Sequence, residues 1–263
     1  MRIFRHFLPV FLLLSLLPGA ALGRTARHDR VFVPVLIMHH VKWNTPSDDA
    51  IERGLTISPT QFAQDLSYLV RNHYHTISAL RLVQWLRSGG TLPSRPVVLT
   101  FDDGYTDMWP NVYPVLRRYH MTATFFIVPG FLGTRRYLTW KQVETMADHG
   151  MDVEAHTMSH PDLTVVPAAQ VHGELVDSRR LLAQHLHRTV PVMAYPYGTY
   201  NASVLAAVRQ AGYWAAFTTH QGWWQTSGAV LTLPRVYVDN DDTPAIFAGR
   251  LVADPTVLAE DPT

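Results

Sequence analysis

The chain has 263 residues, 47% of them hydrophobic, with a formal net charge of +1. This length and apolar content suit one large α/β domain, and the near-zero charge leaves no electrostatic footprint for nucleic acid. Cysteine is absent, which excludes a disulfide framework and a cysteine-linked lipid anchor.

The chain opens on a short basic region, Arg2, Arg5 and His6, followed by an apolar run over 7–17. Pro18-Gly19 breaks the run, and Ala21-Leu22-Gly23 supplies small residues for cleavage. This pattern predicts a signal peptide over 1–23, a mature domain over 24–263 and export to the periplasm or the extracellular space. The apolar run is short for a membrane span, so no stable span is expected once the leader is cleaved. An uncleaved anchor is the alternative.

After a polar stretch at 24–30, the run 31–38 predicts a strand ending in His39-His40, and 41–55 reads as a loop. Ser58-Pro59 opens a helix with Phe62, Leu66, Leu69 and Val70 on one face. A short strand is expected at 75–77, then a helix capped by Ser78 and closed by Gly89-Gly90. The run 96–99 predicts a buried strand leading into Thr100-Phe101-Asp102-Asp103-Gly104. A helix is expected over 107–120, kinked at Pro114, then a strand over 123–128 and a Thr139-capped helix. A strand over 151–155 runs into His156. There follow a long helix over 167–187, a strand over 190–195, an Asn201-capped helix, strands at 214–218 and 231–238, and a closing helix over 243–252.

Strand and helix alternate about seven times at lengths suited to right-handed crossovers. The expected fold is an α/β distorted (β/α)7 barrel, with an open doubly wound sheet as the rival. In a barrel the chemistry lies at the strands' carboxyl ends, where His39-His40, Asp102-Asp103, His156 and Tyr197 fall.

Two adjacent carboxylates repel each other unless positive charge lies beside them. A divalent cation supplies it, binding one carboxylate and leaving the other free to take a proton. An Asp-Asp-Gly turn is also what strand capping alone produces. The metal reading gains from His156-Thr157-Met158-Ser159-His160, because residues i and i+4 share a face on a helical turn and both imidazoles then reach one ion. With Asp103 as third ligand, two nitrogens and one carboxylate suit zinc or a similar divalent metal. Asp102 would then take the proton of an activated water.

These two motifs resemble the first two motifs of the polysaccharide deacetylases with a NodB homology domain, carbohydrate esterase family 4. Ala194-Tyr195-Pro196-Tyr197-Gly198 looks like the third, and the resemblance runs from about Val33 to Val238. It implies removal of acetyl groups from N-acetylated sugars, with Asp102 as base and Asp103, His156 and His160 as ligands of a divalent cation, Zn2+ or else Ni2+, Co2+ or Fe2+. It also implies an oxyanion held by the Tyr197 N–H. The chain departs from the family pattern at three places. Ala194 stands where an Arg normally orients the base, the usual late Asp-Trp motif is not evident, and Leu233-Pro234-Arg235 stands about where a Leu-x-His supplies the general acid.

The stretch Pro34-Val35-Leu36-Ile37-Met38-His39-His40 resembles the N-terminal segment of the exopolysaccharide deacetylases of biofilm systems, the PgaB and IcaB group. There a late strand of ordinary members comes first in the chain. The resemblance implies His39 as general acid and poly-β-1,6-N-acetylglucosamine as substrate. Spacing alone does not choose between His39 and His40, and His220 is a third candidate. Aromatic faces bury the apolar face of a pyranose, so Tyr105, Trp109, Trp223 and Trp224, with Pro196, are expected along the sugar groove. The expected partner is an N-acetylglucosamine polymer, and the expected state a monomer. A deacetylase of the same fold acting on peptidoglycan or small acyl amides and esters, and a non-catalytic glycan-binding module, are the competing functions.

Overall fold

The computed structural model describes residues 29–253. The expected leader and the acidic tail beyond 253 lie outside the described residues.

Seven parallel strands form the centre: β1 (Val35–Met38), β2 (Pro96–Asp103), β3 (Thr124–Ile127), β4 (Asp152–Ala155), β5 (Val192–Ala194), β6 (Ala215–Gln221) and β7 (Leu233–Tyr237). They pair in the order β1-β7-β6-β5-β4-β3-β2, and β1 also pairs with β2. The ring is therefore a closed barrel, not the open sheet. The first strand of the chain closes it, between the last strand and the second.

Register places the chemistry-bearing residues at one level. Met38 lies opposite Phe101, so the next residues, His39 and Asp102, come side by side. Asp103 lies opposite Ile127, and Ile127 opposite Ala155, which precedes His156. Carboxylates and imidazoles distant in sequence thus meet at the carboxyl mouth of the barrel.

The expected first strand is broken at Pro34, which has no N–H for a ladder. Its upstream part, Arg30–Phe32, pairs antiparallel with Trp224–Thr226. The helices around the barrel are α1 (Pro59–Arg71), α2 (Ala79–Ser88), α3 (Tyr113–Arg118), α4 (Trp140–Asp148), α5 (Ala168–Leu186), α6 (Ala202–Gln210) and α7 (Pro244–Val252). Ser58, Ser78 and Asn201 accept backbone N–H groups as N-caps, and Thr139 forms a capping box with Gln142. The helix expected over 107–120 is divided: Met108–Val112 forms a wide π turn and α3 follows. Pro110 and Pro114 lack N–H groups, so one regular α ladder cannot run through both.

Apolar packing has two parts. Val35, Val98, Phe126, Phe217 and Leu233 pack together within the barrel. Phe62, Leu66, Phe101, Phe125, Leu175 and Phe247 belong to the cluster between strands and helices. Each such side chain contributes roughly 1.5–3 kcal/mol by leaving water.

Asp65 on α1 sits badly in this shell. It is 7% exposed, and its Oδ2 has no hydrogen-bond partner among the described residues. Burial, followed by the charge of Asp242, pushes its pKa up to about 8. Below the ordinary carboxylate range it is protonated in both folded and unfolded chains. As pH rises from there to about 8, only the unfolded chain ionises, and stability falls. Asp65→Asn is therefore expected to stabilise the protein by roughly 2–4 kcal/mol at pH 8 and little at pH 4. Denaturant midpoints at the two pH values check this.

Candidate active site

A regular strand sends consecutive side chains to opposite faces, which would separate Asp102 from Asp103. Asp103 instead takes a left-handed φ of 72°, followed by Gly104 at 81°. Both carboxylates consequently approach His156 Nε2, Asp103 Oδ1 at 3.4 Å and Asp102 Oδ2 at 4.0 Å. A side chain at Gly104 would press on Ile127 as well as strain the backbone.

The two histidines after β4 converge, but not on a helical turn. Residues 156–160 form no helix. Thr157 and His160 both have positive φ, 62° and 59°, and these turns fold the segment back so that His160 Nε2 reaches Asp103 Oδ1 at 3.3 Å. The expected i, i+4 face is thus replaced by a strained loop. Its support comes from Glu174 on α5, whose carboxylate accepts the N–H groups of Met158 and Ser159, both at 2.8 Å, and pairs with the Ser159 hydroxyl. Strain of this kind persists only where the surroundings over-determine it.

His156 Nδ1 lies 2.8 Å from the Ala194 carbonyl of β5. The carbonyl can only accept, so Nδ1 carries a proton, and in the neutral ring Nε2 keeps its lone pair toward Asp103. At the end of β1, His40 Nδ1 bonds Asp107 at 2.8 Å, and its ring stacks on Tyr105 at 3.7 Å. His39 lies the other way, with Nε2 4.0 Å from Asp102 Oδ2. His220 is exposed and tilts against Tyr200.

Arg235 was legible in the sequence only as the residue standing where a histidine was missing. In the structure it is fully buried in the barrel and grips Asp102 with two parallel bonds, 2.8 Å to Oδ1 and 2.7 Å to Oδ2. Its Nε bonds the Thr218 carbonyl, and Nη1 also reaches Thr100 Oγ1. A guanidinium from β7 therefore orients the carboxylate that Ala194 on β5 cannot reach. The signal available in sequence was an arginine inside an otherwise buried strand, where an unpaired charge would be prohibitive.

Electrostatics follow from this packing. Burial alone would raise the Asp102 pKa, but Arg235 and the neighbouring histidines hold it below the usual carboxylate range. Asp103 is likewise depressed, against burial, chiefly by His156. Burial, with the nearby His156, pushes His160 down to about 4. His39 is lowered mainly by burial. At neutral pH the mouth holds two ionised carboxylates, with His39 and His160 neutral, while Asp103 and Asp102 raise the His156 pKa against its burial.

The aromatic expectations divide. Tyr105 stands beside Asp103, stacked between His40 and Tyr137. Tyr197 is 63% exposed, with φ 58°, and its ring meets His160 edge-on at 4.8 Å. Gly198 after it has φ 70° and packs directly on Thr219, leaving no room for a side chain. Pro196 is buried beneath this turn. Trp109 stacks on Tyr113 and packs against the core. The Trp223–Trp224 wall is not at the mouth. The Trp223 carbonyl accepts from Val33 N–H, and its indole N–H bonds the Arg250 carbonyl. Trp224 meets Phe32 and Arg30. Val33 precedes His39 by six residues, roughly 20 Å on an extended strand. These residues pin the strand's other end.

The donor set fits a divalent cation. One ligand atom each from Asp103, His156 and His160 lies within 4.8 Å of the others. Bonds of about 2.0–2.1 Å at a tetrahedral centre put ligand atoms roughly 3.3 Å apart, close to the 3.3 and 3.4 Å found between Asp103 and the two imidazoles. Asp103 Oδ1 is buried and has no hydrogen-bond partner among the described residues. Leaving that oxygen unpaired is costly, and a cation satisfies it.

Comparison with known proteins points to one family. Residues 89–216 match the family model for polysaccharide deacetylases. The Bacillus subtilis protein YxkH, assigned by name to that family, is 31% identical over 206 residues, covering 78% of this chain and 71% of the relative. A Staphylococcus aureus poly-β-1,6-N-acetyl-D-glucosamine N-deacetylase is 24% identical, covering 72% of this chain and 70% of the relative. Among solved structures, the Streptococcus pyogenes deacetylase PplD superposes with a TM-score of 0.78 at 27% identity, covering 84% of this chain and 98% of that one. IcaB from Ammonifex degensii has the same fold, with a TM-score of 0.72 at 23% identity, covering 86% and 97%. The chain belongs to the polysaccharide deacetylases.

Proposed function

We propose that this chain is a divalent-cation-dependent N-deacetylase that hydrolyses the acetamide of N-acetylglucosamine units in an exported polysaccharide, with poly-β-1,6-N-acetylglucosamine as the polymer and zinc as the cation. The observation that carries the reading is Asp103 Oδ1, buried and unpartnered between two imidazoles, with an ionised Asp102 alongside. The name of the Staphylococcus aureus relative supports the polymer, and the leader pattern at 1–23 supports export.

Asp103, His156 and His160 would hold the cation, which when bound polarises the acetyl carbonyl and acidifies water. The chain's own groups do the rest. Asp102, kept ionised and fixed in direction by Arg235, takes the proton of the attacking water. The Tyr197 N–H donates to the oxyanion as it forms. His39 rests neutral because burial lowers its pKa. It takes up a proton from Asp102, 4.0 Å away, and delivers it to the leaving nitrogen. The C–N bond breaks to acetate and a free glucosamine amine.

This division of labour predicts a leaving-group effect. His39→Ala is expected to lower deacetylation of an N-acetylglucosamine oligomer by about 10²–10⁴-fold. Hydrolysis of an activated phenyl acetate, whose leaving group needs no proton, falls far less. Equal losses on both substrates would remove His39 from the acid role.

Substrate class is tested by measuring acetate release from β-1,6-linked N-acetylglucosamine oligomers, peptidoglycan and small acetyl esters. Preferred release from the oligomers supports the proposal. Release from peptidoglycan alone would redirect it within the family. The competing non-catalytic module draws on two absences, an Arg at position 194 and a late histidine; Arg235 supplies a guanidinium to Asp102, and His39 lies beside the same carboxylate.

A further inference from the structure

One aromatic ladder leads out of the active site in a direction the mechanism does not use. It starts at Tyr105, beside the Asp103 carboxylate. Tyr137 stacks on Tyr105 at 5.1 Å, and Phe131 packs on Tyr137 at 4.7 Å. A β-bridge between Tyr105 and Tyr137, and a bond from Thr106 N–H to the Arg136 carbonyl, fix the 134–137 loop against the Asp-Asp-Gly turn. Tyr137 also lines a cavity of about 660 Å³, together with Ser47, Asp48, Glu52, Thr134, Arg135 and Arg136.

The charges of this lining are nearly all paired, with Lys42 beside the cavity as one of the partners. Arg136 bonds Glu52 at 2.8 Å, Lys42 bonds Glu52 at 3.0 Å, and Lys42 bonds Asp48 at 2.7 Å. Two carboxylates and two cations thus cancel. Arg135 is exposed and has no ion-pair partner among the described residues. The lining therefore offers an aromatic face, hydroxyls and one uncompensated guanidinium.

We infer that this cavity is a sugar subsite for the unit next to the one being hydrolysed, and that it accepts an N-acetylated neighbour and disfavours a deacetylated one. The inference rests on the function proposed above. Its volume lies in the range of small-ligand sites, and a Tyr face with hydroxyls beside it suits a pyranose. An acetamide carbonyl accepts from the Arg135 guanidinium, whereas a glucosamine ammonium is repelled by it. The product of one turnover is thereby a poor neighbour for the next. Deacetylation is spaced along the polymer rather than run in blocks.

The test uses Asp102→Asn as a turnover-free host and compares binding of two β-1,6-linked tetramers, one fully acetylated and one acetylated at a single internal unit, so that both offer the same acetamide to the catalytic subsite and differ only in its neighbours. Calorimetry is expected to give about tenfold tighter binding of the fully acetylated tetramer, equivalent to one charge contact at a wet site. Adding Arg135→Ala erases the preference, and adding Tyr137→Ala weakens both tetramers. Equal binding of the two in the host, or a preference that survives Arg135→Ala, overturns the inference, as does failure of the fully acetylated tetramer to bind. Acetate release by the wild-type chain is measured in parallel. Absent release with an Arg135-dependent preference would sink the proposed reaction and leave the subsite standing.

Discussion

Asp102→Asn is expected to lower acetate release by about 10³-fold or more while leaving the bound cation in place. Asn has nearly the shape of Asp but cannot accept the proton of water, and general-base assistance is worth about 10²–10⁴-fold. The cation is assigned to Asp103, His156 and His160, and Asp102 Oδ2 stands 4.0 Å from the nearer imidazole. Metal content and single-turnover acetate release on the same sample check the two halves together. Loss of the cation from the Asp102→Asn variant would mean that Asp102 is a ligand and that the base lies elsewhere.

Arg235→Ala is expected to act on both folding and rate. Truncating one partner of a buried ion pair leaves the other charged and unpaired, at a cost of about 3–5 kcal/mol. Here the abandoned partner is Asp102, 2% exposed, which also loses the bonds that fix its direction. Turnover falls by about 10²-fold or more, with binding of the oligomer little changed. Added guanidinium restores part of the rate by refilling the space the side chain leaves. A variant that is merely unfolded gains nothing from guanidinium, so denaturation midpoints and rescue together separate positioning from stability.

Much of the barrel was readable from local rules. Ser58, Ser78, Thr139 and Asn201 mark helix starts through capping chemistry, and all four accept the expected backbone N–H groups. Continuous apolar runs marked the buried parallel strands. Pairing order was not local. Only register shows that β1 lies against β2 and sets His39 beside Asp102, which spacing could not decide against His40.

The site was readable as residues but not as geometry. His156 and His160 suggested a helical turn because i, i+4 spacing has that meaning on a helix. The convergence actually depends on positive φ at Thr157 and His160 and on the carboxylate of Glu174 from the following helix, which no periodicity encodes. Arg235 was hidden because its partner stands 133 positions earlier in the chain. Trp223 and Trp224 misled for the opposite reason. Their type suits sugar stacking, but a hydrogen bond to the Arg250 carbonyl and a cation–π contact with Arg30 engage them away from the mouth.

The central claim is that one cation is held by Asp103, His156 and His160. Elemental analysis of the purified chain beside Asp103→Ala, His156→Ala and His160→Ala tests it most directly. The expected result is one divalent ion per wild-type chain and little or none in each folded variant, with acetate release lost in step. A wild-type chain that deacetylates without a metal ion, or variants that keep a full equivalent, would contradict it.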